Sequence, residues 1–466
     1  LEAALACVFH AARSSAPWYT WRMCNERRWQ GGRALLRLVL ALLSGWSALA
    51  SIEVANAQPE PLQWSDSRPE DLVIKLVTFG PGDDIYNYFG HNGMIVQDTA
   101  AKEAGLYNFG MFHFGMDMLP NYMKGRLTFW VAETPVRATF AHYVDMNRSI
   151  RVQELNLSPD KRKFIAEALA RNALPENRDY LYQHYYNNCS TRLRDLIDQA
   201  IGGQFKQALS GPARLSYRAQ TRRYAQKNPL LDFALVFWMN DEMEQRIKQW
   251  DELFLPEELE SQVARAHYID AHGKRVPLVA AGYDVFEAKR APTPMWPNRR
   301  WPWTLAIGIG IGLLAWSTAQ WSLRARSRWP LRLLGLQHAL FGATFGLLGT
   351  LGFLMWTLTE HTVTYRNENQ FLANPLTFLL LPLGIAIAFN SQRALQLTRF
   401  VFYALAGLSL ALVVLKLLPN FDQDTLLPMT LLLPANLGGA LAHRALSTAH
   451  APVTRVEARD GAVSRA

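Results

Sequence analysis

Reactive chemistry in this chain concentrates in Tyr185-Tyr186-Asn187-Asn188-Cys189-Ser190-Thr191-Arg192-Leu193-Arg194-Asp195. Downstream of Cys189 the apolar residues Leu193, Leu196, Ile197, Ala200 and Ile201 recur at helical spacing, and Gly202-Gly203 stops the run, so a helix begins at or beside the cysteine. A helix N-terminus offers unpaired N–H groups and the positive end of the dipole, which favour a thiolate over a thiol whose ordinary pKa is about 8.5. The competing reading is a small, buried, inert cysteine, because free Cys is among the most buried residue types. A thiol nucleophile also needs a base, and the base needs a group that holds its ring. His91 is the candidate base, with Gly90 on one side and Asn92-Gly93 on the other leaving room for a helix end. Asn108 is the candidate to orient the imidazole, the role Asn takes in Cys-His-Asn sites, and Tyr107 is the substitute if strand alternation turns Asn108 away. The backbone N–H of Cys189, with a side-chain amide from Asn187 or Asn188, is the expected donor set for an oxyanion. Arg192, Arg194 and Asp195 read first as a salt-bridged helix face, although an arginine such as Arg192 can also bind a lipid phosphate.

The other histidines carry less. His113 and His142 sit among aromatic residues and read as packing, and His184 either gates the thiol or caps a turn. No His-Glu-x-x-His or paired-Cys motif is present, so neither a metal nor another cofactor is expected.

The elements that must position these groups lie in the middle of the chain. Segments 71–79, 88–96, 106–112, 127–132 and 150–155 read as strands from their β-branched and aromatic content and the turn residues between them, with Gly80-Pro81-Gly82-Asp83-Asp84 as the clearest turn. Ser158-Pro159 opens a helix to Asn172, helical spacing runs from Phe233 to Leu253, and Pro277 to Glu287 reads as a closing hairpin. The expected class is therefore α+β over residues 58–295.

On either side of that domain the solvent changes. Met23 reads as the true start. Arg27, Arg28, Arg33 and Arg37 precede the apolar run 38–43, and Ala55-Asn56-Ala57 forms a small-x-small site, so residues 1–57 read as an N-terminal extension and secretory signal peptide. Cleavage after Ala57 would remove Cys7 and Cys24 and leave Cys189 as the one thiol in an oxidising compartment. From residue 296 to 445 five apolar stretches follow, 301–322, 333–358, 375–389, 400–418 and 425–442, most near the ~20 residues that cross a bilayer. The formal charge is +9. Its arginines gather at Arg324, Arg326, Arg328 and Arg332, at Arg393 and Arg399, and in the tail 446–466, so they read as topology signals and not as a nucleic-acid surface. The positive-inside rule then puts the tail in the cytoplasm and the thiol domain outside, with Arg299 and Arg300 as the local contradiction. The polar outer loop with Glu360, His361, Asn367, Asn369 and Asn374-Pro375 is either a solvated connector or a floor under the site, where His361 would meet substrate.

Five motifs, Thr78-Phe79-Gly80-Pro81-Gly82-Asp83, Phe89-Gly90-His91, Tyr107-Asn108-Phe109-Gly110, Pro175-Glu176-Asn177-Arg178 and Asn188-Cys189-Ser190-Thr191-Arg192-Leu193-Arg194-Asp195, together resemble the Lnb N-terminal periplasmic domain family. The His-before-Cys order is similar to the circularly permuted branch of the NlpC/P60, papain-like superfamily. The resemblance implies a papain-like extracytoplasmic domain followed by an all-α membrane domain in the bacterial inner membrane. It also implies lipoprotein N-acyltransferase activity: Cys189 takes an acyl chain from a phospholipid as a thioester, and the N-terminal amine of a lipoprotein resolves it. A cell-wall peptidase or amidase, and a non-enzymatic membrane-tethered binding domain, are the alternatives.

Overall fold

Strand β1 (Leu72–Phe79) organises the described chain, which in the computed structural model comprises residues 62–112, 120–121 and 124–449. Residues 1–61 and 450–466, with Cys7, Cys24, the expected signal peptide and most of the expected tail, lie outside the described residues, as does His113. On β1, Leu72, Ile74 and Leu76 enter one apolar cluster while Val77 and Phe79 enter another, so the strand is covered on both faces. It pairs antiparallel with β2 (His91–Asp98) on one side and β5 (Ile150–Leu155) on the other. With β3 (Glu103–Met111), β4 (Leu127–Pro135), β6 (Asp179–Tyr182) and β9 (Val279–Phe286) these form a seven-stranded antiparallel sheet in the order β6-β4-β3-β2-β1-β5-β9. The hairpin β7 (His267–Ile269) and β8 (Arg275–Pro277) stands apart, so the expected closing hairpin is instead an edge strand of the main sheet. The second strand starts three residues later than expected because Gly90 adopts φ +81 and turns the chain just before His91.

Helix α1 (Val136–Asp145) brings Phe140 and Tyr143 onto the Phe79 side of the sheet. On the other face lie α2 (Pro159–Ala173), which contributes Ile165 and Leu169, and α3 (Cys189–Ala200), which contributes Leu193 and Ile197. The expected run from Phe233 to Leu253 is broken: after α4 (Tyr217–Ala225), the helix α5 (Pro229–Trp238) ends at Trp238 and short turns follow up to α6 (Pro256–Arg265).

Among the described residues four helices are long and apolar enough to cross a membrane, α7 (Trp301–Arg324), α8 (Trp329–Leu358, with a π turn over Gly342–Gly346), α10 (Gln392–Leu415) and α11 (Leu426–Ala449). The expected third span is corrected: α9 (Pro375–Ala388) reaches only about 21 Å at 1.5 Å per residue, short of the ~30 Å hydrocarbon core. It lies along α8, where Gly335, Gly342, Gly346 and Gly349 leave no room for a Cβ against its backbone and that of Ala373-Asn374. A second close seam joins α7 to α11, where a Cβ on Gly438 would overlap the backbone of Gly312. Gly438→Val is expected to cost the upper end of roughly 1–3 kcal/mol, read as an earlier melting transition of the detergent-solubilised chain.

The two regions are keyed together by α5. Phe237 from α5 joins the membrane-helix cluster, and Trp238 Nε1 donates to the Leu348 carbonyl of α8 at 3.0 Å. The carbonyls at the end of α5 lack intrahelical partners, as at any helix C-terminus, and the outer loop, the α10–α11 connection and the domain itself supply them. Asn367 Nδ2 and Asn369 Nδ2 donate to Phe237 O at 2.9 and 3.0 Å, and Gln423 Nε2 to Met239 O at 2.9 Å. From the domain side, Arg218 Nη1 donates to Val236 O at 2.7 Å. Asn367 and Asn369 therefore work as caps and not as solvated connector residues. Arg300 also ceases to be a contradiction. It pairs with the fully buried Asp232 at 3.1 Å, shared with Arg222 at 3.0 Å, and so ties the start of α7 to α5.

Candidate active site

The thiol sits at the first residue of α3 because Asn188 builds the cap. Asn188 accepts from the Thr191 backbone N–H at 2.9 Å while Thr191 Oγ1 accepts from the Asn188 N–H at 2.8 Å, a reciprocal capping box. The helix start is then pinned to the sheet: Ser190 Oγ donates to Asn92 Oδ1 at 2.7 Å, and Asn92 Nδ2 donates to Thr78 Oγ1 at 2.9 Å. All five of these side chains are buried. Cys189, partly exposed, follows directly.

His91 opens β2, so its ring belongs to the opposite face from Asn92 and meets the sulfur at the end of the strand. Its ring is stacked with Phe79 (6.0 Å between centroids) and Tyr143 (6.4 Å), which fix its plane. Burial alone would raise the Cys189 pKa. The charge of His91, its hydrogen bond to the sulfur, the backbone N–H of Asn92 and the Ser190 hydroxyl outweigh that, and the thiol is held down at about 7.

The tautomer follows from the hydrogen bonds behind the ring. His91 Nε2 lies 3.3 Å from Asn108 Oδ1, and Asn108 Nδ2 donates to Thr134 Oγ1 at 2.6 Å. The Thr134 hydroxyl donates to the Leu106 carbonyl at 3.2 Å, and a carbonyl can only accept, so Thr134 accepts from Asn108 and the amide cannot be reversed. Asn108 thus presents oxygen to His91, Nε2 carries the proton, and Nδ1 keeps its lone pair for the thiol. Thr139 Oγ1, 2.9 Å from Thr134 Oγ1, extends the relay to α1.

Strand alternation decides between Asn108 and Tyr107. Register pairs Gly93 with Asn108, and a Cβ at Gly93 would press on Asn108 Oδ1 at 3.3 Å, so the glycine admits the amide. Tyr107 points to the other face, fully buried, where its hydroxyl accepts from Trp64 Nε1 at 2.8 Å. Asn108→Ala is expected to lower the turnover of any thiol reaction by about 10²-fold with little change in substrate KM. Tyr107→Phe should cost about 1 kcal/mol of stability and leave that turnover unchanged. Comparing kcat, KM and melting temperature of the two variants checks this.

Neither expected amide is available to an oxyanion. Asn187 Nδ2 donates to Leu181 O at 2.7 Å and its oxygen accepts from Arg192 Nε at 2.9 Å. Asn188 Nδ2 donates to His184 O and Phe254 O, both at 2.8 Å. The expectation for both is corrected: the capping and turn bonds that build the helix start occupy them, leaving the first-turn backbone N–H groups, that of Cys189 first, as the donors. Arg192 lies over the Tyr180 ring at 3.9 Å, half-buried on the flank of the helix. His184 is enclosed edge-on by Phe89, Tyr185 and Phe254, and burial pushes its imidazole down to about 4, so it stays neutral and structural. His361 Nδ1 lies 2.8 Å from Thr359 Oγ1 in the outer loop. No residue of that loop is among those lining the cavity beside His91. That cavity, about 480 Å³, is lined by His91, Asn108, Tyr86, Met111, Phe112 and Tyr143 among others. Asn92, Ser190, Thr134 and Thr139 escaped the sequence reading; only Asn92, adjacent to His91, carried a signal.

The fold and site together define a thiol-bearing α+β domain keyed into membrane-capable helices. Residues 61–227 match the family described as the Lnb N-terminal periplasmic domain, a span that holds all five motifs and the whole Cys189-His91-Asn108 relay. No curated protein and no solved structure matches the chain. With its four membrane-capable helices, the chain is a multi-pass membrane protein carrying a periplasmic domain.

Proposed function

We propose that the protein is a cysteine acyltransferase of the inner membrane, which moves an acyl chain from a phospholipid to the N-terminal amine of lipoproteins. The observation that supports this reading is a Cys-His-Asn relay in a domain whose own helix α5 is seated among membrane-capable helices. His91 Nδ1 takes the Cys189 proton, the thiolate attacks the ester carbonyl, and the Cys189 backbone N–H receives the developing oxyanion. Collapse breaks the ester C–O bond, the His91 imidazolium returns the proton to the departing lysophospholipid oxygen, and a thioester remains. The neutral lipoprotein amine then attacks the thioester, gives its proton to His91, and releases Cys189 as thiolate. The positive-inside pattern supports the same sidedness, with the domain outside. A papain-like domain organisation is consistent with a thiol on a helix packed against the sheet strand that carries His91.

The test is direct trapping. Incubating the purified full chain with phospholipid and no acceptor should add one acyl mass to the peptide containing Cys189, labile to hydroxylamine and absent from Cys189→Ala. Transfer of that chain to water with no preference for an amine would mark a hydrolase instead, and no adduct under any donor would reject the acyl-enzyme reading.

A further inference from the structure

At the end of the helix bundle remote from the α+β domain, the first turns of α10 and the last turns of α11 enclose a cavity of about 270 Å³. Its lining includes Gln392, Gln396, Arg399, His443 and Ser447, with Leu395 closing one side, and no carboxylate is among the described lining residues. Arg399 has no ion pair among the described residues, and its Nε is buried without a hydrogen-bond partner there. Its guanidinium touches the Phe400 ring at 4.9 Å instead. His443, about 1 % exposed, engages Nε2 with His338 Nε2 at 3.1 Å, which leaves Nδ1 as its other polar atom. One N–H of the half-buried guanidinium, at Nε, is thus left without an acceptor, which is disfavoured, and it borders a space also lined by the amides of Gln392 and Gln396.

We infer that this cavity binds a phosphate group. A guanidinium fork presents paired N–H groups at the spacing of phosphate oxygens, and the two glutamine amides and an imidazole beside it suit the remaining oxygens, while the Ser447 hydroxyl already donates to Arg444 O at 2.9 Å. A volume of about 270 Å³ is ample for a phosphate-bearing head. Leu397 and Phe400 are exposed on the outer face of α10 just beside it, a surface along which acyl chains can run while the head is held. Arg393 and Arg444, on the same ends of the same helices, add to the positive field. The ligand is therefore either the head of an anionic phospholipid from the leaflet opposite the α+β domain, or free phosphate. This inference does not depend on the acyl-transfer reading, since none of these residues belongs to the thiol site.

The experiment uses the full chain, delipidated in detergent and titrated separately with dihexanoyl phosphatidylglycerol and with inorganic phosphate, thermal stabilisation being the readout. Wild type should give a saturable shift with at least one probe; a shift with the lipid alone assigns a headgroup, and an equal shift with inorganic phosphate assigns the free ion. Arg399→Gln should weaken that binding about tenfold or more, Arg399→Lys should retain part of it, and Cys189 alkylation should be unchanged in both. Gln396→Leu, at the cavity wall, serves as a second variant should Arg399→Gln fold poorly, and is expected to weaken binding as well. No saturable shift in wild type, or equal affinity in wild type and well-folded variants, overturns the inference.

Discussion

Replacing His91 with Gln should move the pH midpoint of Cys189 alkylation from about 7 to above the ordinary ~8.5. The sign follows from the groups around the sulfur. Burial favours the neutral thiol, and among the influences that oppose it the charge and the hydrogen bond of His91 come first, ahead of the Asn92 N–H and the Ser190 hydroxyl. A thiolate is gained as pH rises through the thiol pKa, so at pH 7 the reactive fraction falls from about half in wild type to a few per cent or less in the variant. Acyl transfer loses its proton carrier as well and should drop about 10²–10⁴-fold. Iodoacetamide rates between pH 5.5 and 9.5 measure the first effect and radiolabelled acyl transfer the second. An unchanged midpoint would detach His91 from the sulfur and with it the catalytic reading.

The second large effect is structural. Asp232→Ala removes the carboxylate that Arg222 and Arg300 share and leaves two guanidinium groups with little solvent and no anion. Breaking a buried pair in this way costs about 3–5 kcal/mol. The loss should appear as a lower melting temperature and as rapid tryptic cleavage at Arg299-Arg300, the hinge between the α+β domain and α7. Alkylation of Cys189 at 20 °C should keep its pH midpoint, because Asp232 lies on α5 and takes no part in the relay. A variant as resistant to trypsin as wild type would show that the keying rests on the apolar contacts of Phe237 and Trp238 alone.

The sequence was most informative where a local rule acts alone. Strand β5 matched its expected limits at both ends, and the helix start at Cys189 followed from apolar spacing and the Gly202-Gly203 stop. His91 and Asn108 were legible as a pair, and register together with Gly93 explains why Asn108, and not Tyr107, reaches the ring. What escaped depends on partners distant in sequence. Asn187 and Asn188 look like spare amides until their bonds to Leu181, His184 and Phe254 are known. Helix α1 was missed altogether, although Tyr143 from it braces the imidazole. The α9 span was misjudged because hydropathy reports what surrounds a helix and not how far it reaches: apolar residues suit an environment of neighbouring helices as well as one of lipid.

The carbonyls of Val236, Phe237 and Met239 are completed by side chains drawn from both sides of residue 300. The periplasmic portion is for that reason not a portable module. A truncation ending at residue 295 would strand a greasy helix tip with its polar ends unanswered, and the fragment should aggregate. Grafting the thiol domain onto a foreign anchor would require carrying Asn367, Asn369 and Gln423 along with it, so the two parts of the chain are bound to diversify together.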